Sequence, residues 1–587
     1  MKFLDLARYF EKIEATPSRN QMMEIIAQLL KTASHDEIDQ LVYLSLGGLA
    51  PKFNRIEFNL ADKMVIRAIS KATKQSKETV TKNFKSTGDL GQVFQSLSTH
   101  TSSNLSIQNV YTKLLATAKD EGQGSQDRKT STLSELLSSV DKLSGRYIVR
   151  IVLGKLRLGF SDKTILDALS FMEHGTKEGR DDLDWAYQVY PDVGRLAKLV
   201  KQYGIKNSRS KVSVKLGVPV MPALAQRLKT SKEMIAKMGR VIAEPKFDGT
   251  RVQIHFDRNQ ALEVRSKQQD QLFTDLNIES SYWVKSFTRN LDESSHMFPE
   301  LQQIGNQLSA ESVILDSEAV GYDPQSGKML PFQMTITRKR KHGIKEAISQ
   351  VPLKFYVFDI LYKNGQSLIQ LPLKKRRDIL TKTIQSSDGP LIIDDYLITD
   401  SPNQLKSYHH HQLEQGLEGA MVKKIDGPYT PGRLGWNWVK FKEAEGSQAK
   451  LSDTLDCVVM GYYRGQGKRS QFGIGAFLVG IRSGSHYLTI AKIGTGLTDE
   501  QWREIILRVK NHKSEIKPKQ YSDISKILTP DVWVHPHLVV EIAADEITKS
   551  PSHSAGFALR FPRLIKFRDD KEPNQVTSIA ELKSIKN

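Results

Sequence analysis

Glu244-Pro245-Lys246-Phe247-Asp248-Gly249-Thr250-Arg251 puts a lysine beside an Asp-Gly turn that leads into a strand. Lysine is a nucleophile only as its free amine. Its ordinary pKa of about 10.4 must therefore fall, through desolvation or nearby positive charge. Arg251 and a bound metal could supply that charge. On its own the octapeptide also fits an exposed lysine ahead of a hairpin, because Asp and Gly are common turn formers.

Downstream of it, Val252, Ile254 and Phe256 alternate with Gln253 and His255, the periodicity of a strand. Asp257-Arg258-Asn259 reads as a turn, with Leu262 and Val264 on the returning strand. Further strands are expected at Val313–Leu315, Phe355–Leu361, Ala420–Val422 and Val439–Lys442, and a helix at Lys374–Ile384. Glu318 and Glu418 lie at strand ends, where carboxylates suit Mg²⁺, a hard cation that also takes substrate phosphates. Lys440 and Lys442 are two apart, so both amines point to one face of a strand, and they could grip a triphosphate. Each piece alone also fits a solvated strand face.

Upstream, residues 1–212 read as helical. Phe3, Leu6, Phe10 and Ile13 share a face, as do Met22, Ile26 and Leu29 after Thr16-Pro17. Leu41 to Leu49, Val65 to Ala72 and Tyr147 to Leu158 continue the pattern, and a helix is expected to start at Ser161. Lys119–Thr130 (KDEGQGSQDRKT) reads as a polar loop. Beyond the lysine region, Glu443–Lys450 (EAEGSQAK) looks like a hinge. Strands then follow at Leu455–Tyr463, Gly475–Ile481, His486–Ile493 and Leu538–Ala543, broken by one helix at Thr498–Val509. That spacing is compatible with a small OB-type barrel. The fold class is multidomain α+β, with domains expected at 1–212, 213–446 and 447–587.

Composition adds two limits. A formal charge of +19 on 587 residues favours polyanions as partners, although generic basicity gives the same figure. The one cysteine, Cys457, excludes an intrachain disulfide and a Cys-rich zinc site; it reads as a buried strand residue in a reducing compartment. No run approaches the roughly 20 apolar residues of a membrane span, and the N-terminus lacks a signal-peptide core. An intracellular, soluble protein with no membrane partner is expected.

Taken in order, KFDGTR at Lys246, LDSEAV around Glu318, FYVFDILYKNG containing Phe358, EGAMVKK from Glu418, WVKFK with Lys440 and Lys442, and RFPR from Arg560 followed by KFRDDK resemble the six motifs of the covalent nucleotidyltransferases. The chain is most similar to ATP-dependent DNA ligases of the archaeal and eukaryotic type. The RFPR…RDDK ending, the lead-in GVPVMPALA at Gly217–Ala225 and the front segments LGGLAPKFN and RYIVRIVLGKLRLGFSDKTILDAL carry that likeness.

The resemblance implies an all-helical DNA-binding domain, an α/β adenylation domain and a C-terminal OB-fold barrel clamped around duplex DNA. It implies that Lys246 forms the lysine–AMP bond, that Glu244 reads the adenine, that Arg251 and Glu318 contact the ribose side and that Phe358 stacks on the base. Glu418, with Glu318, would hold Mg²⁺ or Mn²⁺. Lys440 and Lys442 would contact phosphates, and Arg560 with the rest of its motif would orient the leaving pyrophosphate. ATP is the implied co-substrate and nicked double-stranded DNA the partner. A sliding clamp as a further partner, a monomeric state, a cytoplasmic nucleoid-associated location and work in replication, repair and recombination follow from the same likeness.

Three positions depart from the family pattern. Arg265 or Lys267 must serve where relatives carry Ser-Arg; Arg433 is the only arginine left before WVKFK; and Ser317 replaces a common Gly, with an effect expected on a turn. Gly461–Arg469 superficially resembles a phosphate loop, but it is one residue too long and ends in Arg469 instead of Ser or Thr, so a hairpin is expected. His409-His410-His411 reads as a solvated helix or loop; Arg338–Lys341 fits a solvated face or an import signal, and the resemblance favours a basic loop that meets DNA backbone. The rivals are an RNA ligase or capping enzyme, which usually lack the helical front, and a non-catalytic DNA-binding scaffold.

Overall fold

The computed structural model describes residues 1–16, 18–156, 158–260, 282–338, 348–386, 388–432, 435–442, 454–465, 469, 472–544 and 546–586. The chain runs as helices from Phe3–Ala15 to Val193–Ser210, then as two sheets with helices, then as a strand-rich unit.

The helical front forms as its apolar spacing dictates. Phe3, Leu6, Phe10 and Ile13 are all buried, and so are Met22, Ile26 and Leu29. Helix Arg19–Thr32 is capped by Ser18, whose side chain accepts from the Gln21 amide; Pro17 lies outside the described residues. Ser161 caps Asp162–His174 as expected. Two expectations need correction. The helix read across Tyr147 to Leu158 is Lys142–Val152, started by the Asp141 cap and ended before Gly154, whose φ of 63° breaks it; Leu156 and Leu158 are buried beyond its end. The loop read at 119–130 is only 120–124, because helix Ser125–Ser138 begins inside that polar stretch. Its polar residues coat an exposed first turn, where Arg128 Nη2 donates to Asp120 at 2.6 Å.

The middle region begins with Gln226–Arg227 (β1), Val241–Pro245 (β2), Thr250–Asp257 (β3), Trp283–Thr288 (β4), Ser312–Gly321 (β5), Leu353–Lys363 (β6) and Gln366–Ser367 (β7). Leu391–Ile393 (β8), Leu397–Thr399 (β9), Gly419–Lys424 (β10) and Trp438–Lys442 (β11) complete it. One sheet has the order β1-β11-β10-β2-β9; the other has β4-β3-β5-β6-β7, with β8 pairing to β6. In the first sheet the period of two sorts side chains. Val241, Ala243, Ala420, Val422, Val439 and Phe441 pack on Met234, Met238 and Leu405, which leaves Glu244, Met421, Lys423, Trp438, Lys440 and Lys442 for the other face. The strand expected to carry Leu262 and Val264 lies outside the described residues, and β3 pairs with β4 and β5. Ser317 is not in a turn: it is buried within β5, and its Oγ donates to Val252 O at 2.7 Å.

The lead-in to this region is stitched to both neighbours. Gly217 N–H donates to His255 Nδ1 at 3.1 Å, Gln253 exchanges two hydrogen bonds with the Val220 backbone, and Met221 N–H donates to Gln188 O at 2.8 Å. Burial pushes His255 down to about 3, so it stays neutral and its Nδ1 can accept.

The last region contains Leu455–Tyr463 (β12), Ala476–Ser483 (β13), His486–Ile493 (β14), Lys513–Ser514 (β15), Val532–Val534 (β16), Val539–Ala543 (β17), Glu546–Lys549 (β18), Phe557–Arg560 (β19) and Arg563–Phe567 (β20). Helix Asp499–Val509 interrupts them, capped by Thr498. β12 pairs with β13, β16 and β17, and no pairing closes the sheet into a barrel among the described residues. Cys457 is buried in β12. The hinge expected at Glu443–Lys450 lies outside the described residues. Among those residues no helix is long and apolar enough to cross a membrane.

Candidate active site

The backbone sets the central pair before any side chain acts. Lys246, just past β2, donates its N–H to Gly419 O at 3.0 Å, and Glu418 N–H donates to Lys246 O at 3.2 Å. The two side chains therefore leave one point of the fold together. Lys246 Nζ donates to Glu418 Oε2, and Lys442 Nζ meets the same oxygen at 2.7 Å. Burial pushes the Glu418 carboxyl up, but the Lys246 and Lys442 ammoniums outweigh it and hold the group below its ordinary value.

Across the cleft, Gly249 lets β3 approach β5. A Cβ there would lie 2.5 Å from Ala319 O and 2.8 Å from Glu318 Cγ. Register then sets Arg251 opposite Glu318. Arg251 forks onto Asp316 at 2.6 and 3.0 Å, and also donates to Ala223 O at 2.5 Å and to the Tyr429 hydroxyl at 3.2 Å. Burial pushes Glu318 up to about 7, against the pull of Arg251 and Lys246. Asp248 is also raised, first by burial and then by Glu418; Lys246, Arg560 and Lys442 act the other way.

Phe358 stands edge-on to Trp438 with centroids 5.8 Å apart, and Lys423 Nζ lies 4.5 Å from its ring. Glu244 is buried and paired with Lys423. Arg560 and Phe561 reach in from the C-terminal region; Phe561 is 63% exposed at φ 52°.

One cavity of about 700 Å³ brings Glu244, Lys246, Arg251, Glu318, Phe358, Glu418, Lys440, Lys442 and Arg560 together, with lining drawn from both sheets and the C-terminal region. Arg265 and Arg433 lie outside the described residues. Sequence reasoning missed Asp316, Tyr429 and Lys423 as members of the site. Asp316 and Lys423 did carry a signal, since Asp316 stands two residues from Glu318 and Lys423 lies inside the EGAMVKK motif. Tyr429 had none.

Several side roles resolve as structural. Of the C-terminal motif only Arg560 and Phe561 line the cavity; Arg568 and Lys571 are tied to Asp456, and Asp569 to Arg508. His409 is not solvated: it is buried and stacks on Phe441 with centroids 4.0 Å apart, whereas His410 and His411 are exposed. Arg338 is buried against Val351 O and Glu300, and 339–341 fall outside the described residues. Gly461 lies within β12, Arg469 donates to Gly475 O and Gly494 O, and 466–468 fall outside the described residues.

Comparison with known proteins gives a consistent picture. Residues 2–170 match a model of the DNA ligase N terminus, 222–442 one of the ATP dependent DNA ligase domain, and 470–571 one of the ATP dependent DNA ligase C terminal region. A relative named "Probable DNA ligase" from Dictyoglomus turgidum is 39% identical over 99% of this chain and 97% of its own. "DNA ligase" of Pyrobaculum arsenaticum is 35% identical over 99% and 98%. A solved chain described as Pmar-Lig_PreS3 shares the fold at 17% identity and a TM-score of 0.51, covering 96% of this chain and 99% of that one.

Proposed function

This chain belongs to the ATP-dependent DNA ligases, which seal nicks through a lysine–AMP intermediate, and we propose on that premise which of its residues perform the three steps. The observation that carries the assignment is the shared cavity: a lysine and a carboxylate joined at Lys246–Glu418, with Glu318, Lys440, Lys442 and Arg560 around them.

In the first step the Lys246 amine attacks the α-phosphorus of ATP. A nitrogen–phosphorus bond forms as the bond to the β-phosphate oxygen breaks, and pyrophosphate leaves. Glu244 and Phe358 hold the base, and Arg251 and Glu318 stand on the ribose side. Lys440, Lys442 and Arg560 offset the charge that builds on the phosphoryl oxygens. The adenylyl group then passes to the 5′-phosphate of the nick, and finally the 3′-hydroxyl displaces AMP. Lys246 must shed its proton and part from Glu418 before it can attack.

The donor set fits Mg²⁺ or Mn²⁺. Glu318 and Glu418 are hard oxygen ligands, and two carboxylates plus substrate phosphates and waters is the usual arrangement for Mg²⁺. Among the described residues no group of three or more acidic, His or Cys side chains is placed to hold an ion. Such an ion supplies Lewis-acid stabilisation of the phosphoryl oxygens. The same reading assigns DNA binding to 1–212, adenylation to 213–446 and an OB-type closing domain to 447–587. It makes the protein a cytoplasmic monomer on nicked duplex, with a sliding clamp as a further partner.

The test is incubation with labelled ATP and Mg²⁺, then a chase with nicked duplex. The expected result is an AMP adduct on Lys246 that the nick removes. Lys246→Ala and Lys246→Arg should form none while still binding duplex, since a guanidinium is no nucleophile at neutral pH. Adenylation retained in either variant would overturn the assignment.

A further inference from the structure

Beneath the base-binding end of the cavity lies a buried quartet of charges from four separate segments. Glu244 comes from β2, Arg377 from helix Leu373–Thr383, Asp394 from the turn after β8 and Lys423 from β10. None is more than 5% exposed, and Glu244, Asp394 and Lys423 line the cavity.

The pairing inside the quartet is uneven. Lys423 serves Glu244 Oε2. Arg377 faces Asp394 instead: Nη1 meets Asp394 Oδ1 at 2.5 Å and Nη2 donates to the Asp394 carbonyl at 2.7 Å. The Arg377 plane also lies 4.6 Å over the Tyr396 ring. Held this way, Arg377 Nη1 stops 3.6 Å from Glu244 Oε1, inside charge attraction but outside hydrogen-bond reach. Glu244 Oε1 is therefore buried with no hydrogen-bond partner. A buried oxygen in that state is costly, and here a cation that could satisfy it is held aside by a neighbour.

We propose that Arg377 and Asp394 are positioning residues for base selection: by keeping Arg377 off Glu244 Oε1, Asp394 leaves that oxygen open to the 6-amino group of adenine. This rests on the nucleotide reading of the cavity. An exocyclic amine donates to Oε1, whereas the 6-oxo group of guanine or hypoxanthine is an acceptor and would face another acceptor. A site whose buried polar group depends on the substrate for its partner rejects an analogue that lacks that partner. If Arg377 were free to close onto Oε1, the oxygen would be satisfied without any base and the distinction would be lost.

The test uses the full chain and single-turnover self-adenylation with ATP, ITP, purine riboside triphosphate and dATP. The wild type should prefer ATP to the two analogues without a 6-amino group. Asp394→Asn and Arg377→Lys should each shrink the ATP:ITP preference by about tenfold or more while the ATP:dATP ratio stays put, because the ribose side is untouched. A uniform fall for all four nucleotides, or an ATP:dATP ratio that moves with ATP:ITP, would mean the quartet is merely structural and would overturn the proposal. If Asp394→Asn does not fold, Arg377→Lys carries the same test. A wild type that forms no Lys246 adduct with any nucleotide would instead sink the underlying reading, a distinct outcome.

Discussion

Lys246 and Glu418 are joined twice, by the Glu418 N–H to the Lys246 carbonyl at 3.2 Å and by the Lys246 ammonium to Glu418 Oε2. The proposed nucleophile is thus held by the carboxylate proposed to take the metal, and Lys442 shares that oxygen at 2.7 Å. A cation held by Glu418 would compete with Lys246 for that oxygen and would leave the amine free. Glu418→Gln should accordingly cut single-turnover adenylation by about 10- to 100-fold and raise the metal concentration needed for half-maximal rate. A metal titration that superimposes on the wild type would contradict this coupling.

Glu318 gives a pH dependence with a definite sign. Burial raises its carboxyl to about 7, so below that pH the group is mostly protonated and a proton must leave before a cation binds. The half-saturating metal concentration for adenylation should therefore be flat above about pH 7 and rise as pH falls, approaching about tenfold per unit. Glu318→Gln should lower activity and remove the slope. An equal metal requirement at pH 6 and pH 8 in the wild type would refute it.

Asp316 should matter to stability more than to any single step. It is 1% exposed and takes both bonds of the Arg251 fork. Asp316→Ala leaves a buried guanidinium short of its counter-charge, a loss of about 3–5 kcal/mol for a pair of this kind. Denaturant unfolding of the variant reads that loss directly; a change under about 1 kcal/mol would mean water replaces the carboxylate.

How legible this was follows from what each residue does. Lys246, Glu318, Glu418, Lys440 and Lys442 were visible because motif order and a period of two put chemistry-bearing side chains on one face. Asp316 stands in plain view two residues before Glu318, but that spacing does not say that Arg251 is its buried partner. Tyr429 could not be found at all: its hydroxyl reaches Arg251 and Asp316 only through a long-range meeting of the two sheets. Polar surface misled at 119–130, where an exposed helical turn and a loop have the same composition. His409 and Arg338 misled in the opposite sense, since charge patterns say nothing about a stacked Phe441 or a waiting Val351 carbonyl.

The +19 charge bears on binding and not on chemistry. Phosphate contacts release counterions, so affinity for nicked duplex should fall by about 10³-fold or more between 50 and 200 mM salt if some six to ten phosphates are neutralised. Adenylation without DNA should respond far less over the same range. A truncation removing 1–212 should weaken duplex binding more than adenylation, though the Gln188–Met221 seam means it should also lower stability. Equal loss of both activities in folded material would contradict the division of labour.

Gly249 tests whether the approach of β3 to β5 is what aims the nucleophile. Its backbone would suit any residue; the constraint is space, since a Cβ would lie 2.5 Å from the Ala319 carbonyl, a backbone atom that cannot swing aside. Gly249→Ala must push the Phe247–Thr250 turn away from Glu318. A shift of about 1 Å in a reacting group can cost about 10²-fold in rate, so adenylation should fall by that order while duplex binding, proposed for the helical front, should be unchanged. Were Gly249→Ala to adenylate at the wild-type rate, the turn would have to yield without moving Lys246, and the close β3–β5 contact would not be what positions the amine.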